Sequence, residues 1–396
     1  MEESKPPQGR EPAQERARSD LMAWREAQPG NFYLRNHQLK RLLKRWTAPE
    51  ERAPQDAELT QFGATVAGPL DSAAILNNRP WNLPVLDRWS PIGERTEAIE
   101  HHPAFHECGE AIYQNGRVIA VYGQSQGNLN AQARFFLSSH AGEAGHNCPV
   151  ACTAGVVKAL QTLGTDEMKR RWLGGLLSDI YGDRLAGAQF LTELQGGSDV
   201  GANAVEARPD GEALGTTRWR IHGEKWFCSS ADADLILMTA RVQGSGTGTR
   251  GLGLFLVPRY LEDGTVNAYA LRRLKDKLGT RSMVSAEIDF NGAVAYAMGP
   301  VEDGFRSTMN LVINTSRLYN SLGCAGLAQR ATFVAHGYAV HRRAFGRAII
   351  EYPLVQEMIA GMVATSSALL AGGLTLAHMF DQRESDTLDD ENVSFL

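Results

Sequence analysis

QFLTELQGGSDVGAN, residues 189–203, lies where the periodicity of the chain changes. Upstream, apolar residues recur at helical spacing: Leu59, Phe62 and Val66; Phe105, Cys108, Ile112 and Tyr113; Val156, Val157, Leu160 and Leu163. Thr165 before Asp166-Glu167 has the chemistry of an N-cap with an acidic first turn, opening a helix through Trp172, Leu173 and Leu176. Residues 79–98 hold three prolines among turn formers and read as a long surface loop. Downstream the period falls to two. Trp219 and Ile221 alternate with polar neighbours, LILMTARV (235–242) and LGLFLVP (252–258) are apolar runs of strand length, and Val284, Ala286, Ile288 and Phe290 alternate with Ser285, Glu287 and Asp289. Asn291-Gly292 then reads as the turn that closes this strand. The spacing predicts an all-α domain over 31–185 and a β domain of antiparallel hairpins over 186–295.

After residue 303 the helical period returns. Phe305, Met309, Val312, Ile313, Tyr319 and Leu322 begin one helix that runs to about His341, and Leu354, Ile359, Met362, Val363, Leu369, Leu370, Leu374 and Phe380 mark a second. Joined by a short link containing Pro353, they predict an antiparallel hairpin, the first part of a four-helix bundle over 296–396. Two helices do not enclose a bundle core. Part of the last stripe is therefore expected to face water, at roughly 1.5–3 kcal/mol per large side chain, unless partner subunits or further chain cover it.

Residues 1–30 carry mixed charge, four prolines and almost no aliphatics, so a disordered arm is expected. The next stretch, NFYLRNHQLKRLLKRW (31–46), sets Leu39, Leu42, Leu43 and Trp46 on one stripe among basic residues, a helix docking its apolar side on its own protein.

The 396 residues carry 40 basic and 45 acidic side chains, a net charge of −5, which argues against an electrostatically driven nucleic-acid binder. Hydrophobic residues at 43% and charged ones at 21% exclude a fibrous or wholly disordered chain. No unbroken apolar run reaches the roughly 18 residues of a membrane span, and no apolar core marks the N-terminus as a secretory signal. Five scattered cysteines read as reduced thiols, and a cytoplasmic location without membrane partners is expected.

Several motifs fail their context tests. GTGTRG (246–251) matches a dinucleotide fingerprint but sits between two strands, so it reads as a hairpin loop. His102 and His106 have metal-binding spacing without a third ligand, so no metal is expected. Cys148 and Cys152, also four apart, read as buried thiols rather than a redox pair. Two segments carry more. In residues 189–203, Thr192, Gly196, Gly197 and Ser198 offer hydroxyls and bare backbone N–H groups to a flat ring or a pyrophosphate, or form an ordinary turn into a strand. In GEKWFCSS (223–230), Trp226 and Phe227 can wall a flat cofactor while Ser229 donates to it.

LTELQGGSDV, GEKWFCSS, RLKDKLGTRS (273–282, taken as a strand), NTSRLYNSLGCAGLAQRA (314–331) and HRRAFGRAIIEYP (341–353) resemble, in order and spacing, the acyl-CoA dehydrogenase family. With GEAGHNCPV (142–150) and HHPAFHE (101–107), they are most similar to its alkylation-response (AidB-type) branch. The resemblance covers about residues 30–385. It implies a helical N-terminal domain, a central β domain and a C-terminal helical bundle, with FAD between the last two.

By that resemblance the segment from Gln189 through Leu191, Thr192 and Gly197 to Ser198 contacts the flavin, with Thr192 near the pyrimidine edge and Ser198 near the phosphate and the substrate. Phe227, Cys228 and Ser229 flank the isoalloxazine. Arg342 and Phe345 match positions that reach the FAD of a neighbouring subunit, which implies a homo-oligomer, a dimer of dimers. Pro353 stands where many members carry a Gln that contacts FAD. Arg317 matches the arginine facing the nucleotide end of the substrate, against the alternative of a bundle salt bridge.

The implied activity is α,β-dehydrogenation of an acyl-CoA thioester, which needs a base at the α-carbon, donors at the carbonyl and a hydride acceptor. The family's usual base is a Glu expected beyond Leu396, and the alternative position is Ser316, too weakly basic for the task. The chain is thus expected to lack a C-terminal part. The competing readings are a DNA-associated alkylation-protection flavoprotein, whose DNA-binding region would lie beyond this chain and whose only local support is Lys40, Arg41, Lys44 and Arg45, and a catalytically incomplete fragment.

Overall fold

A computed structural model describes residues 13–388. The first part is helical: α1 (Ala13–Glu26), α2 (His37–Trp46), α3 (Pro49–Thr65) and α4 (Asp71–Asn77) precede a hairpin of β1 (Val85–Trp89) and β2 (Arg95–Glu100). Then come α5 (Pro103–Gly109), α6 (Gly127–Ser138), α7 (Ala144–Leu163) and the short α8 (Asp166–Met168) and α9 (Gly174–Leu176). Thr165 caps α8 by accepting from the Met168 N–H. Leu39 and Leu43 of the basic helix α2 are buried against its own protein.

The sheet holds β3 (Gly187–Phe190), β4 (Glu206–Ala213), β5 (Thr216–Ser229), β6 (Leu235–Val242), β7 (Leu252–Pro258), β8 (Tyr269–Leu274) and β9 (Ser285–Ala297). Most pairings are antiparallel, but β6 pairs in parallel with both β3 and β4. The first half of β6, Leu235–Met238, is apolar because both of its faces are covered. Leu235 and Leu237 join the core shared with the helices, whereas Ile236 and Met238 enter the core of the β domain. Residues 246–251 form the connection between β6 and β7, as their context implied.

The last part is α10 (Gly304–Ser307), which continues through a π-turn into α11 (Asn314–His341), then the small hairpin β10 (Arg343–Ala344) and β11 (Arg347–Ala348), and α12 (Pro353–Glu384). Leu318, Tyr319 and Leu322 of α11 and Leu370 and Leu374 of α12 lie in one core with Phe135 and Phe136 of α6. The helical, β and helical layers are those the periodicities and the resemblance implied.

Five sequence expectations change. Residues 13–26, placed in a disordered arm, are helical: Trp24 meets Tyr338 edge-on at 5.6 Å, so the segment gains order from α11 rather than from its own composition. Residues 1–12 lie outside the described residues. The loop over 79–98 contains the β1–β2 hairpin, pinned because buried Glu97 accepts from Arg95 (2.6 Å) and from the Leu271 N–H of β8 (2.8 Å). The first domain is therefore not all-α. Asn291-Gly292 does not end a strand. Gly292, at φ +86°, makes a bulge within β9, and the strand runs on to Ala297. Residues 275–282 leave β8 as a loop with Thr280 at φ +51°; only Arg273 and Leu274 of that motif are in a strand.

The fifth change concerns α12. Among the described residues it is the one helix long and apolar enough to cross a membrane, with mean hydropathy 1.6 over 18 residues. Thr365, Ser366 and Ser367 interrupt it, which is why a search for an unbroken apolar run passes over it. Its stripe is divided: Leu370 and Leu374 are buried in the shared core, while Leu354, Met358, Val363 and Leu369 are exposed.

Candidate functional site

The segment after β3 and the end of β5 are joined by their own backbones. The Trp226 N–H donates to the Thr192 carbonyl at 2.9 Å. One residue before Trp226 and one after Thr192, the Lys225 Nζ meets the Glu193 Oε1 at 2.8 Å, with both side chains almost wholly buried. Lys225 also donates to the Leu191 carbonyl (3.1 Å), which accepts from Asn203 as well (2.7 Å). Glu193 further accepts from the Ala204 N–H (2.6 Å). Burial pulls the Lys225 ammonium below its usual range and the Glu193 charge opposes that shift. Such a pair fixes register more than it adds stability, because each charge compensates the desolvation of the other.

Register then slips. Phe227 sits at φ +54° in a bulge of β5 between Lys225 and Cys228. An aromatic residue in that region is a backbone outlier of the kind that gathers at functional sites. Beyond the bulge the alternation of the strand sends Cys228 into the β core, fully buried, and aims Ser229 at a cavity.

That cavity, about 430 Å³, lies between the β domain, α7 and α11. Gln189 and Ser229 line it from the β domain, Thr280 from the loop after β8, Cys148 and Cys152 from α7, and Ser316, Tyr319, Asn320 and Cys324 from α11. The Ser316 hydroxyl donates to Gln189 Oε1 at 3.0 Å, and Gln189 Nε2 donates to the Cys152 carbonyl at 3.1 Å, so one amide ties the three layers together. None of the described lining residues is a carboxylate.

The residues fit a flat, polar-edged ring. The Trp226 indole Nε1 is buried without a partner among the described residues, a donor left for something else. At Gly197 a Cβ would stand 2.6 Å from the Thr192 hydroxyl, so only glycine lets this backbone pass so close to Thr192.

The other sequence candidates fall elsewhere. Thr192 and Leu191 are half-buried beside Trp226, and Ser198 is exposed on the same loop outside the cavity lining. Phe227 is half-exposed with the Lys275 ammonium 3.7 Å from its ring centroid. Cys228 corrects the sequence reading: its side chain packs among β-core residues and cannot flank a ring in the cavity. Arg317 is exposed and donates to Asn314 (3.1 Å) in its own helix, so it forms no bundle salt bridge among the described residues. Arg342 and Phe345 lie beyond the far end of α11. Leu327, the last cavity residue on α11, stands about 22 Å along the helix from Arg342, so neither reaches the cavity within one chain.

The thiols were misjudged. Cys152 is buried as expected, but Cys148 is partly exposed in the cavity wall, and Cys324 joins them from a helix 172 residues later in sequence. Only the four-residue spacing of the first two could have pointed there. His102 caps α5 through its ring Nδ1, which accepts from the Ala104 N–H, and no metal-binding group occurs among the described residues.

A three-layer helix–sheet–helix protein with a cavity where all three layers meet defines the class, and the comparisons narrow it. Residues 25–183 match the adaptive response protein AidB N-terminal domain, 188–293 the acyl-CoA dehydrogenase middle domain, and 302–394 the acyl-CoA dehydrogenase C-terminal domain. The chain belongs to the acyl-CoA dehydrogenase family, whose members are FAD flavoproteins, and carries an AidB-type N-terminal domain. It is 34% identical over 316 residues to the putative acyl-CoA dehydrogenase AidB of Escherichia coli (strain K12), covering 76% of this chain and 56% of that protein. Among solved structures, Bd2924 in its apo form superposes with a TM-score of 0.86 at 27% identity, over 92% of this chain and 72% of that one. Caenorhabditis elegans ACDH-11 in complex with C11-CoA gives 0.81 at 25% identity, over 92% and 63%. The chain thus spans little more than half the length of the AidB relative.

Proposed function

We propose that this chain is the flavin-binding part of an FAD-dependent acyl-CoA dehydrogenase-like oxidoreductase of the alkylation-response type, acting on an acyl-CoA thioester in the cytoplasm. The observation that carries the proposal is the junction of the Gln189–Ser198 and Trp226–Ser229 segments, through the Trp226 N–H to Thr192 carbonyl bond, with Gln189 of the one and Ser229 of the other lining the 430 Å³ cavity.

In this reading Gln189, Leu191, Thr192 and Gly197 hold one edge of the flavin and Ser229 its face, with Phe227 as an outer wall and Ser198 toward the phosphate. When bound, FAD supplies the acceptor for the β-hydride of the thioester. The chain's own share is to position and to exclude water: Phe135, Ala151 and Leu327 give the cavity an apolar side for an acyl chain, and the hydroxyls of Ser229 and Ser316 face the same space. The base for the α-proton is assigned to no described residue. Arg317, exposed near the start of α11, meets the nucleotide end of the substrate, and Arg342 and Phe345 serve the FAD of a neighbouring subunit in a dimer of dimers.

The experiment is to add FAD to the purified protein, remove the excess and record the visible flavin band, then titrate anaerobically with acyl-CoA thioesters of increasing chain length. Retained flavin that bleaches with one chain-length class supports the reading. A protein that binds no FAD at any concentration overturns it. A protective association with DNA is the second reading, favoured by Arg41, Lys44 and Arg45, which stand exposed on α2. It predicts a gel shift that weakens steeply with salt.

A further inference from the structure

Three of the chain's five cysteines line one cavity. Cys148 and Cys152 lie one turn apart on α7 and so share a face, and Cys324 stands on α11. Among the described lining residues there is no carboxylate, histidine, lysine or arginine. The three thiols and the Tyr319 phenol are therefore its ionisable side chains, and burial pushes that phenol well above its usual range.

Hydrogen bonding with Cys152 holds the Cys148 thiol below its usual range, helped by the Ser229 hydroxyl and the Lys277 ammonium, while Cys152 itself moves upward. Lys277 is fixed by donating to the Met283 carbonyl (2.6 Å) and to the Ser285 hydroxyl (3.2 Å). Burial brings its own pKa down to about 8. The partly exposed Cys148 thus has what a reactive cysteine needs: access, a proton-donating neighbour and a nearby cation.

We propose that Cys148 is a nucleophilic thiol that takes up α,β-unsaturated carbonyl compounds entering this cavity by conjugate addition. The thiolate sulfur forms a bond to the β-carbon, the electron pair of the carbon–carbon double bond moves to the α-carbon, and that carbon takes a proton from solvent. The sum is addition of S–H across the double bond, with no leaving group and no oxidant. The Asn320 side chain lies within the same space for the carbonyl, and Phe135, Ala151 and Leu327 form an apolar wall for the rest of the molecule. The assignment rests on the thiols and not on a bound flavin, so it stands or falls separately from the dehydrogenase reading.

The test is to expose the flavin-free protein at neutral pH to N-ethylmaleimide or cinnamaldehyde in limiting amount and to locate the adduct by peptide mass spectrometry. Cys148 should carry the label, and should react faster than in the urea-unfolded chain, because a lowered thiol pKa raises the thiolate fraction at neutral pH. Its pH–rate midpoint should lie below that of the unfolded thiol and move up in Lys277→Met. Cys148→Ala should lose the fast phase while keeping the wild-type thermal midpoint. Labelling mainly at the exposed Cys324, or a Cys148 rate equal to that of the unfolded chain, overturns the proposal.

Discussion

The two regions assigned to flavin contact are held in opposite ways. The Gln189–Ser198 segment and the end of β5 are tied by a backbone bond, a buried ion pair and the Lys225 bond to the Leu191 carbonyl, while Asn203 and Ala204 brace the segment from the chain that follows it. The hairpin of residues 343–348 is shaped locally, by Tyr352 donating to the Ala344 carbonyl (2.9 Å) and by Arg347 over the Tyr352 ring at 4.1 Å. Yet its tip residue Phe345, at φ +51°, is 96% exposed. The chain spends strain and buried charge on its own slot, and presents at the hairpin a formed surface that its own fold does not use. Such a surface suits a second subunit.

The largest effect that tests this contrast is Lys225→Met. Leaving Glu193 buried and unpaired should cost about 3–5 kcal/mol, read as a lower urea midpoint, and should abolish FAD retention. Lys225→Met with Glu193→Leu should recover much of the stability. If the single variant loses nothing, the slot is not held as described.

Acid should act on the helical N-terminal part next, through two histidines buried there. Burial lowers the pKa of His140 from its ordinary 6.5 to about 4, and that of His146 to about 3. The unfolded chain binds these protons first, so the stability is complete above pH 6.5 and is lost as pH falls from there toward the folded values, by about 1.4 kcal/mol per pH unit for each histidine. Chemical denaturation across that range measures the slope. His140→Gln should flatten it, whereas changes in the exposed hairpin should not.

Gly197→Ala comes third. Its new methyl meets the Thr192 hydroxyl, and overpacking of this kind costs about 1–3 kcal/mol, appearing here as weaker FAD binding in a flavin titration; adding Thr192→Ala should restore part of it. Phe345→Ala is the smallest for the single chain, within about 0.5 kcal/mol in unfolding. In the oligomer reading it should still lower the mass seen by light scattering and the FAD affinity. An unchanged oligomer with unchanged FAD affinity would remove the hairpin's role.

Much of this was legible in the sequence. The switch from a period near four to a period of two placed the layers, and the Thr192-to-Gly197 loop and the Trp226-to-Ser229 stretch stand out by their glycines, hydroxyls and aromatic pair alone. Cys228 comes from the resemblance together with Phe227 and Ser229, and the bulge at Phe227, which decides the face of each later side chain, turns Cys228 into the β core. The β1–β2 hairpin and α1 escaped because their order comes from contacts made by Glu97 and Trp24 with residues far along the chain. Cys324 could not be grouped with Cys148 and Cys152 by any spacing rule.

Sequence alone determined the order of the layers, the family and the two segments that build the slot, since periodicity and local turn chemistry are properties of neighbouring residues. Tertiary structure alone decided which side chains face the cavity, that Glu193 and Lys225 neutralise each other there, and that three thiols meet. Those outcomes depend on register shifts and on contacts between residues from 32 to more than a hundred positions apart, and no local pattern encodes either.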